Sequence, residues 1–219
     1  MFIGHYGVSY AAKRFTPRTS LGTLFLSVQL LDVLFSVFVL VGLERLRIVP
    51  GFTAYNPYDL VYMPYSHSLV GALVWALIAG LLMTALRGRA AGLWVGIAVF
   101  SHFVLDVPMH TPDLPIAGND SLKIGFGLWN HRNLALIAEL VVLLGGLTIY
   151  WQTARPTGPK RTATIGFAIL LVLATLATPF APPPTSAAAF AYQALFLYAL
   201  LAGLAAWVDR RPDAVTDRA

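Results

Sequence analysis

From Ala163 to Val208 the chain carries no Asp, Glu, Lys, Arg or His. So long an apolar stretch suits the inside of a large core or a bilayer. Its clearest turn signal, Pro182-Pro183-Pro184, divides it into two helical runs, Ala163 to Phe180 and Ala187 to Val208. Four more apolar runs lie upstream: Leu21 to Leu43, Ser66 to Leu86, Ala90 to Met109 and Leu134 to Trp151. Each is close to the roughly 20 residues a spanning helix needs. Only 11% of residues are charged and mean hydropathy is +0.71, whereas a soluble domain is about a quarter charged. The expected fold is an all-α polytopic membrane helical bundle: one membrane domain over residues 1–219, with about six transmembrane helices.

Met1 to Ala12 is apolar but too short to span, and no basic segment precedes it as in a signal peptide. A short re-entrant or interfacial helix is expected there. If re-entrant, it carries His5 about 12 Å into the membrane from Lys13, with Gly4 and Gly7 permitting close helix approach. If interfacial, His5 is solvated and Lys13 and Arg14 face the headgroups.

Six spans sort the basic residues eleven to four. Lys13, Arg14, Arg18, Arg87, Arg89, Arg155, Lys160, Arg161, Arg210, Arg211 and Arg218 fall on the side of the termini; Arg45, Arg47, Lys123 and Arg132 fall on the other. The positive-inside rule then puts both termini in the cytoplasm of a multi-pass prokaryotic plasma (inner) membrane protein. The net charge of +5 lies in short inter-helix segments, as topology requires, so nucleic acid is not expected as a partner. Glu44, Arg45 and Arg47 are expected to form an exposed ion pair at the end of the first span.

Against this background the ionisable groups inside the spans stand out, since each is expensive there. His102 and Asp106 are four apart, one helical turn up the same face, and His110 continues that face, although Pro108 should kink or end the helix. Gly22, Gln29, Asp32 and Ser36 make one polar stripe on the first span. His67 opens the second span and Glu139 lies one to two turns into the fourth. Counted along their helices, these groups reach similar depths in the outer half of the membrane. With cysteine absent, any metal must be held by imidazole and carboxylate. The candidate ligands are His5, Asp32, His67, His102, Asp106 and His110. They suit a divalent transition metal, zinc first, with manganese or iron as alternatives. With Glu139 the nitrogen- and oxygen-rich set numbers seven, too many for a closed structural zinc site, which favours an open or two-metal centre.

At the same residues the chain resembles the membrane-bound, metal-dependent hydrolase-like proteins of the YdjM type. The resemblance rests on Gly4-His5-Tyr6, Leu31-Asp32, Tyr65-Ser66-His67-Ser68 and Ser101-His102-Phe103-Val104-Leu105-Asp106. A poorly characterised bacterial branch is more similar still, through His110-Thr111-Pro112-Asp113-Leu114-Pro115, Gly127-Leu128-Trp129 and Glu139. The match covers residues 1–150, leaving 163–208 as an accessory hairpin. The Pro-Asp-x-Asp pair usual in that family is reduced here to Asp32, and Tyr65 replaces its usual Thr or Trp. The resemblance implies metal-dependent hydrolysis.

A metal would polarise a carbonyl or phosphoryl oxygen and activate water, with Glu139 or Asp113 as general base. Ser66 and Ser68 are expected to orient His67. The connection from Thr111 to Asn130 is expected to cap the pocket; Lys123, Trp129 and Arg132 are the candidate substrate contacts. His131 is expected to be an interfacial residue and no ligand. The expected activity is hydrolysis of a lipid-like or phosphorylated small molecule from the outer side, with the lipid bilayer as the other partner. The alternative is a metal-ion or proton transporter or channel using the same cluster; a third reading is a scaffold whose polar groups only tie helices together.

Overall fold

The computed structural model describes residues 1–210, so Arg211 and Arg218 of the eleven basic residues lie outside the described residues. The first apolar run begins as helix α2 (Leu21–Val28), capped by Ser20, whose Oγ accepts from Gly22 N at 3.2 Å. It does not continue as one span. At Gln29 the backbone leaves the helix, and α3 (Leu30–Leu40) departs at 56°. The side chain of Gln29 donates to the carbonyl of Phe2 at 3.0 Å, so the break falls where the polar residue turns to meet the N-terminal segment. A continuous helix from Leu21 to Leu43 is therefore corrected to a broken one.

That N-terminal segment is a 3-10 turn (Ile3–His5) leading into α1 (Tyr6–Ala12), inserted among the helices. Tyr6 and Tyr10 are fully buried, and Tyr6 stacks on Phe25 at 4.2 Å. Two glycines permit the insertion. A Cβ at Gly146 would stand 1.8 Å from Gly7 O, and one at Gly7 would stand 2.0 Å from Val142 O. With His5 also fully buried, the expectation of a surface helix with a solvated His5 does not hold.

Among the described residues, five helices are long and apolar enough to cross a membrane: α4 (Leu69–Arg87), α5 (Arg89–Met109), α6 (Arg132–Ala154), α7 (Gly158–Ala177, prolonged by a 3-10 turn to Phe180) and α8 (Ala187–Asp209). The bent pair α2–α3 makes a sixth. The protein is an all-α membrane helical bundle. On α4, Leu77, Leu81 and Leu86 are more than half exposed while Ala72 and Ala76 are buried. Small residues inward and leucine outward is the pattern of a helix facing lipid. Gly88, at φ +90°, makes the tight reversal between α4 and α5.

One end of the bundle carries two small antiparallel hairpins. In the first, β1 (Arg45–Ile48) pairs with β2 (Tyr58–Tyr62), with Leu46 opposite Leu60; in the second, β3 (Leu114–Pro115) pairs with β4 (Lys123–Ile124). Arg47 pairs with Asp59 across the first ladder at 2.5 Å. Glu44 is buried, correcting the expected exposed Glu44–Arg45–Arg47 group. At the opposite end Lys13 Nζ lies 2.7 Å from Asp209 Oδ2, which also accepts from Leu21 N at 3.0 Å.

Candidate metal centre

α5 provides the rigid wall of the site. Its last three turns present His102 and Asp106 at the expected i, i+4 spacing, with His102 Nε2 3.1 Å from Asp106 Oδ2. The helix runs through Pro108 and stops at Met109. His110 follows as its C-cap, with Nε2 3.5 Å from the same Asp106 oxygen. Asp32 enters from the first turn of α3, just past the Gln29 break, with Oδ1 3.3 Å from His67 Nε2 and 3.6 Å from His102 Nε2. His67, just before α4, also reaches Asp106 Oδ2 at 3.9 Å. The inserted N-terminal turn brings His5 Nε2 to 3.4 Å from Asp106 Oδ1 and stacks its ring on His102 at 3.9 Å. The structure thus brings together all six candidate ligands.

The ring protons follow from the partners. His102 Nδ1 lies 2.8 Å from Val28 O, which can only accept, so Nδ1 carries the proton and Nε2 presents a lone pair with no hydrogen-bond partner. His110 Nδ1 lies 2.9 Å from the Asp113 carboxylate, with the same result. His67 Nδ1 lies 2.8 Å from Ser66 Oγ, whose own proton goes to Glu44 Oε2 at 2.6 Å, so His67 Nδ1 is the donor there too. His5 Nδ1 faces Phe2 O at 3.2 Å. His5 Nε2 also faces His102 O at 3.3 Å; in His67, His102 and His110, an oxygen behind the imidazole and Nε2 turned to the carboxylates is the arrangement that orients histidines toward metals.

The separations fit as well. Donors about 2.1 Å from one tetrahedral ion stand about 3.4 Å apart, and the nitrogen–oxygen distances here run from 3.1 to 3.9 Å. Two groups, His5–His102–Asp106 and Asp32–His67–His102, each gather their ligand atoms within 4.8 Å, sharing His102. Asp106 divides its oxygens between the two sides: Oδ1 faces His5 and the Met1 amino group, 2.5 Å away, and Oδ2 faces His67, His102 and His110. The buried donors suit a nitrogen- and oxygen-preferring divalent ion.

The other candidate residues take different places. Glu139 is buried beside the cluster, accepting from Phe2 N at 2.8 Å and Gly4 N at 2.6 Å. Asp113 stands behind His110, with its second oxygen held by Thr111 Oγ1 at 2.8 Å. Trp129 packs on His110 at 4.1 Å. Ser66 orients His67; Ser68 does not, since its Oγ bonds Pro64 O and caps α4 at Gly71 N. Arg132 turns away to Ala54 O and lies over Phe180, and Lys123 sits in β4 opposite Pro115; neither lines the cavity above the cluster. His131 is exposed.

Three contributors carry little mark in the sequence. Glu44 holds Tyr65 N, Ser66 N and Ser66 Oγ, and its only sequence signal is an acid beside basic residues. Tyr198, from the charge-free hairpin, donates to Asp32 Oδ2 at 3.1 Å. Tyr55, in the first hairpin, lines the cavity; burial and then the charge of Glu139 push its pKa up, which keeps it a neutral donor. Comparison with family models, with curated proteins and with solved structures finds no match for this chain.

Proposed function

We propose that the chain is a membrane-embedded, metal-dependent hydrolase acting on a lipid-like or phosphorylated substrate from the outer side of the membrane. One observation carries the reading: His67, His102 and His110 each have Nδ1 tied to an oxygen and Nε2 turned toward the carboxylates of Asp32 and Asp106. A helix-tying polar network would aim each Nε2 along one well-formed bond, whereas His102 Nε2 stands between Asp106 at 3.1 Å and Asp32 at 3.6 Å with no aligned hydrogen bond to either. The motifs that resemble the YdjM-type proteins are the segments that supply these residues, which supports membership of that family and zinc as the metal.

A divalent ion held by His67, His102, Asp32 and Asp106, with His5 and His110 at its margins, would supply Lewis acidity to a carbonyl or phosphoryl oxygen and to water. Glu139 lies at the edge of the cavity that reaches the cluster and takes the proton from the attacking water. Asp113 holds His110 in place. The cavity lies at the end of the bundle bearing Arg45, Arg47, Lys123 and Arg132, the side poor in basic residues. The positive-inside rule makes that the outer side and puts both termini in the cytoplasm.

The test is turnover in detergent, where no gradient exists. Purified protein should hold transition metal, hydrolyse members of a lipid ester and phosphoester panel, and stop on chelation. Metal-dependent flux into sealed proteoliposomes with no hydrolysis of the panel would overturn the enzyme reading in favour of transport.

A further inference from the structure

The cavity above the cluster has a volume of about 170 Å³ and lies between α3, α8 and the β1–β2 hairpin. Its floor is polar, formed by Asp32, His67, Asp106, His110 and Glu139, and its walls are apolar, with Phe35, Leu46, Leu60 and Phe190 among them. Among the described residues no Lys or Arg side chain lines it. The cationic group that does reach it, the Met1 amine, is already against Asp106. Phosphate headgroups ordinarily meet guanidinium or ammonium partners, and beyond an ion held by the floor carboxylates this lining offers none to balance the headgroup's charge. An uncharged carbonyl or hydroxyl end needs no such partner.

The way in is equally specific. Gln193 is exposed and Leu197 is 39% exposed, yet both also line the cavity. They lie about 9 and 15 Å along α8 from its first residue, at 1.5 Å per residue. The mouth is therefore on the flank of a spanning helix, within the apolar part of the bilayer. Above, Tyr58 packs on Phe190 at 4.8 Å and Tyr55 is buried, so the hairpin roofs the cavity on its aqueous side. Gln193 is the only side-chain amide between Ala163 and Val208, and an amide facing hydrocarbon is costly without a partner. A carbonyl or hydroxyl passing the mouth is such a partner.

We infer that the substrate is a single-chain amphiphile with an uncharged polar end, which enters sideways from the bilayer past Gln193 and Leu197 and lays its chain against α8. This rests on the hydrolase reading for the word substrate; the binding itself does not.

The test uses the full chain in phosphatidylcholine nanodiscs and two photoactivatable probes sharing one diazirine-bearing acyl chain, a monoacylglycerol and a lysophosphatidic acid. Mass spectrometry locates the label. The monoacylglycerol should label residues 190–198 and the cavity wall, and exceed the phosphate probe there. Leu197→Trp, which fills the mouth from a half-exposed position, should cut that labelling about fivefold, a shift of under one decade in affinity. Gln193→Trp should do the same. Leu200→Trp, on the exposed flank outside the lining, should leave it unchanged. Equal or stronger labelling by the phosphate probe, or labelling indifferent to both mouth substitutions, would overturn the inference. Labelling needs no turnover, so a protein that binds the neutral probe as described but hydrolyses nothing sinks the hydrolase reading alone. One that hydrolyses lipids but prefers the phosphate probe sinks this inference alone.

Discussion

The Oγ of Ser66 stands 2.8 Å from Nδ1 of His67. Because Glu44 takes the Ser66 proton and also both neighbouring amides, at 2.6 and 2.9 Å, the ring of His67 is set from outside the cluster by an acid at the mouth of the first hairpin. Outer partners of this kind typically contribute 10–100-fold to metal affinity. Glu44→Gln keeps the shape but offers an amide N–H to a hydroxyl that needs an acceptor. Metal retention should fall by roughly 10–100-fold in competition with a chelator. An affinity within twofold of wild type would show that the Glu44–Ser66 pair does not set His67.

The ligand set is tested by elemental analysis of purified variants. His102→Ala should abolish stoichiometric metal while the protein still inserts, because the hydropathy of α5 is unaffected. Asp106→Asn removes charge and keeps volume, so it should weaken binding with little change in folding. His131→Ala, at an exposed ring, should change nothing. Full metal content in His102→Ala would make the cluster a structural network.

The insertion of α1 depends on two glycines meeting. Gly146→Ala puts a methyl group 1.8 Å from a backbone oxygen of Gly7, whereas Gly145→Ala meets nothing within 4 Å. The first should lower the midpoint of thermal unfolding in detergent, with about 1–3 kcal/mol lost as for other overpacked sites; the second should be neutral. Because α1 follows directly on His5, Gly146→Ala should also loosen metal. Equal midpoints for the two variants would mean that α1 is not held by this contact.

Topology has its own measurement. Reporter fusions between Pro156 and Lys160 should report cytoplasm, and one at Gly118, in the turn between β3 and β4, should report the outer side. A cytoplasmic Gly118 would turn the cavity inward and remove the account of outer-side access.

The bundle was legible because spanning helices leave an unambiguous mark, long apolar runs with basic residues sorted between them. His102, Asp106 and His110 were legible for a similar reason, since ionisable groups at helical spacing in such runs are costly unless they share a partner. The hidden parts depend on pairing across the chain. Glu44 looks like a surface acid until Ser66 is folded onto it 22 residues later. Tyr198 looks like one more aromatic in an apolar helix until α8 meets Asp32, 166 residues away. The break at Gln29 was hidden because each half continues the same apolar pattern, and only the inserted N-terminal turn shows why the amide turns aside.

That break also gives the site a lever. The carbonyl of Val28 is the last of α2, where a helix leaves its acceptors unused, and His102 takes it. Beyond it α3 extends eleven residues, about 16 Å at 1.5 Å per residue, so a 10° change at the joint moves its far end by about 3 Å. His102 holds the end of α2, and Asp32 rides on the first turn of α3. The angle between α2 and α3 therefore acts as a gauge of what the imidazole and carboxylate are holding, readable as a spin-label distance between the two helices.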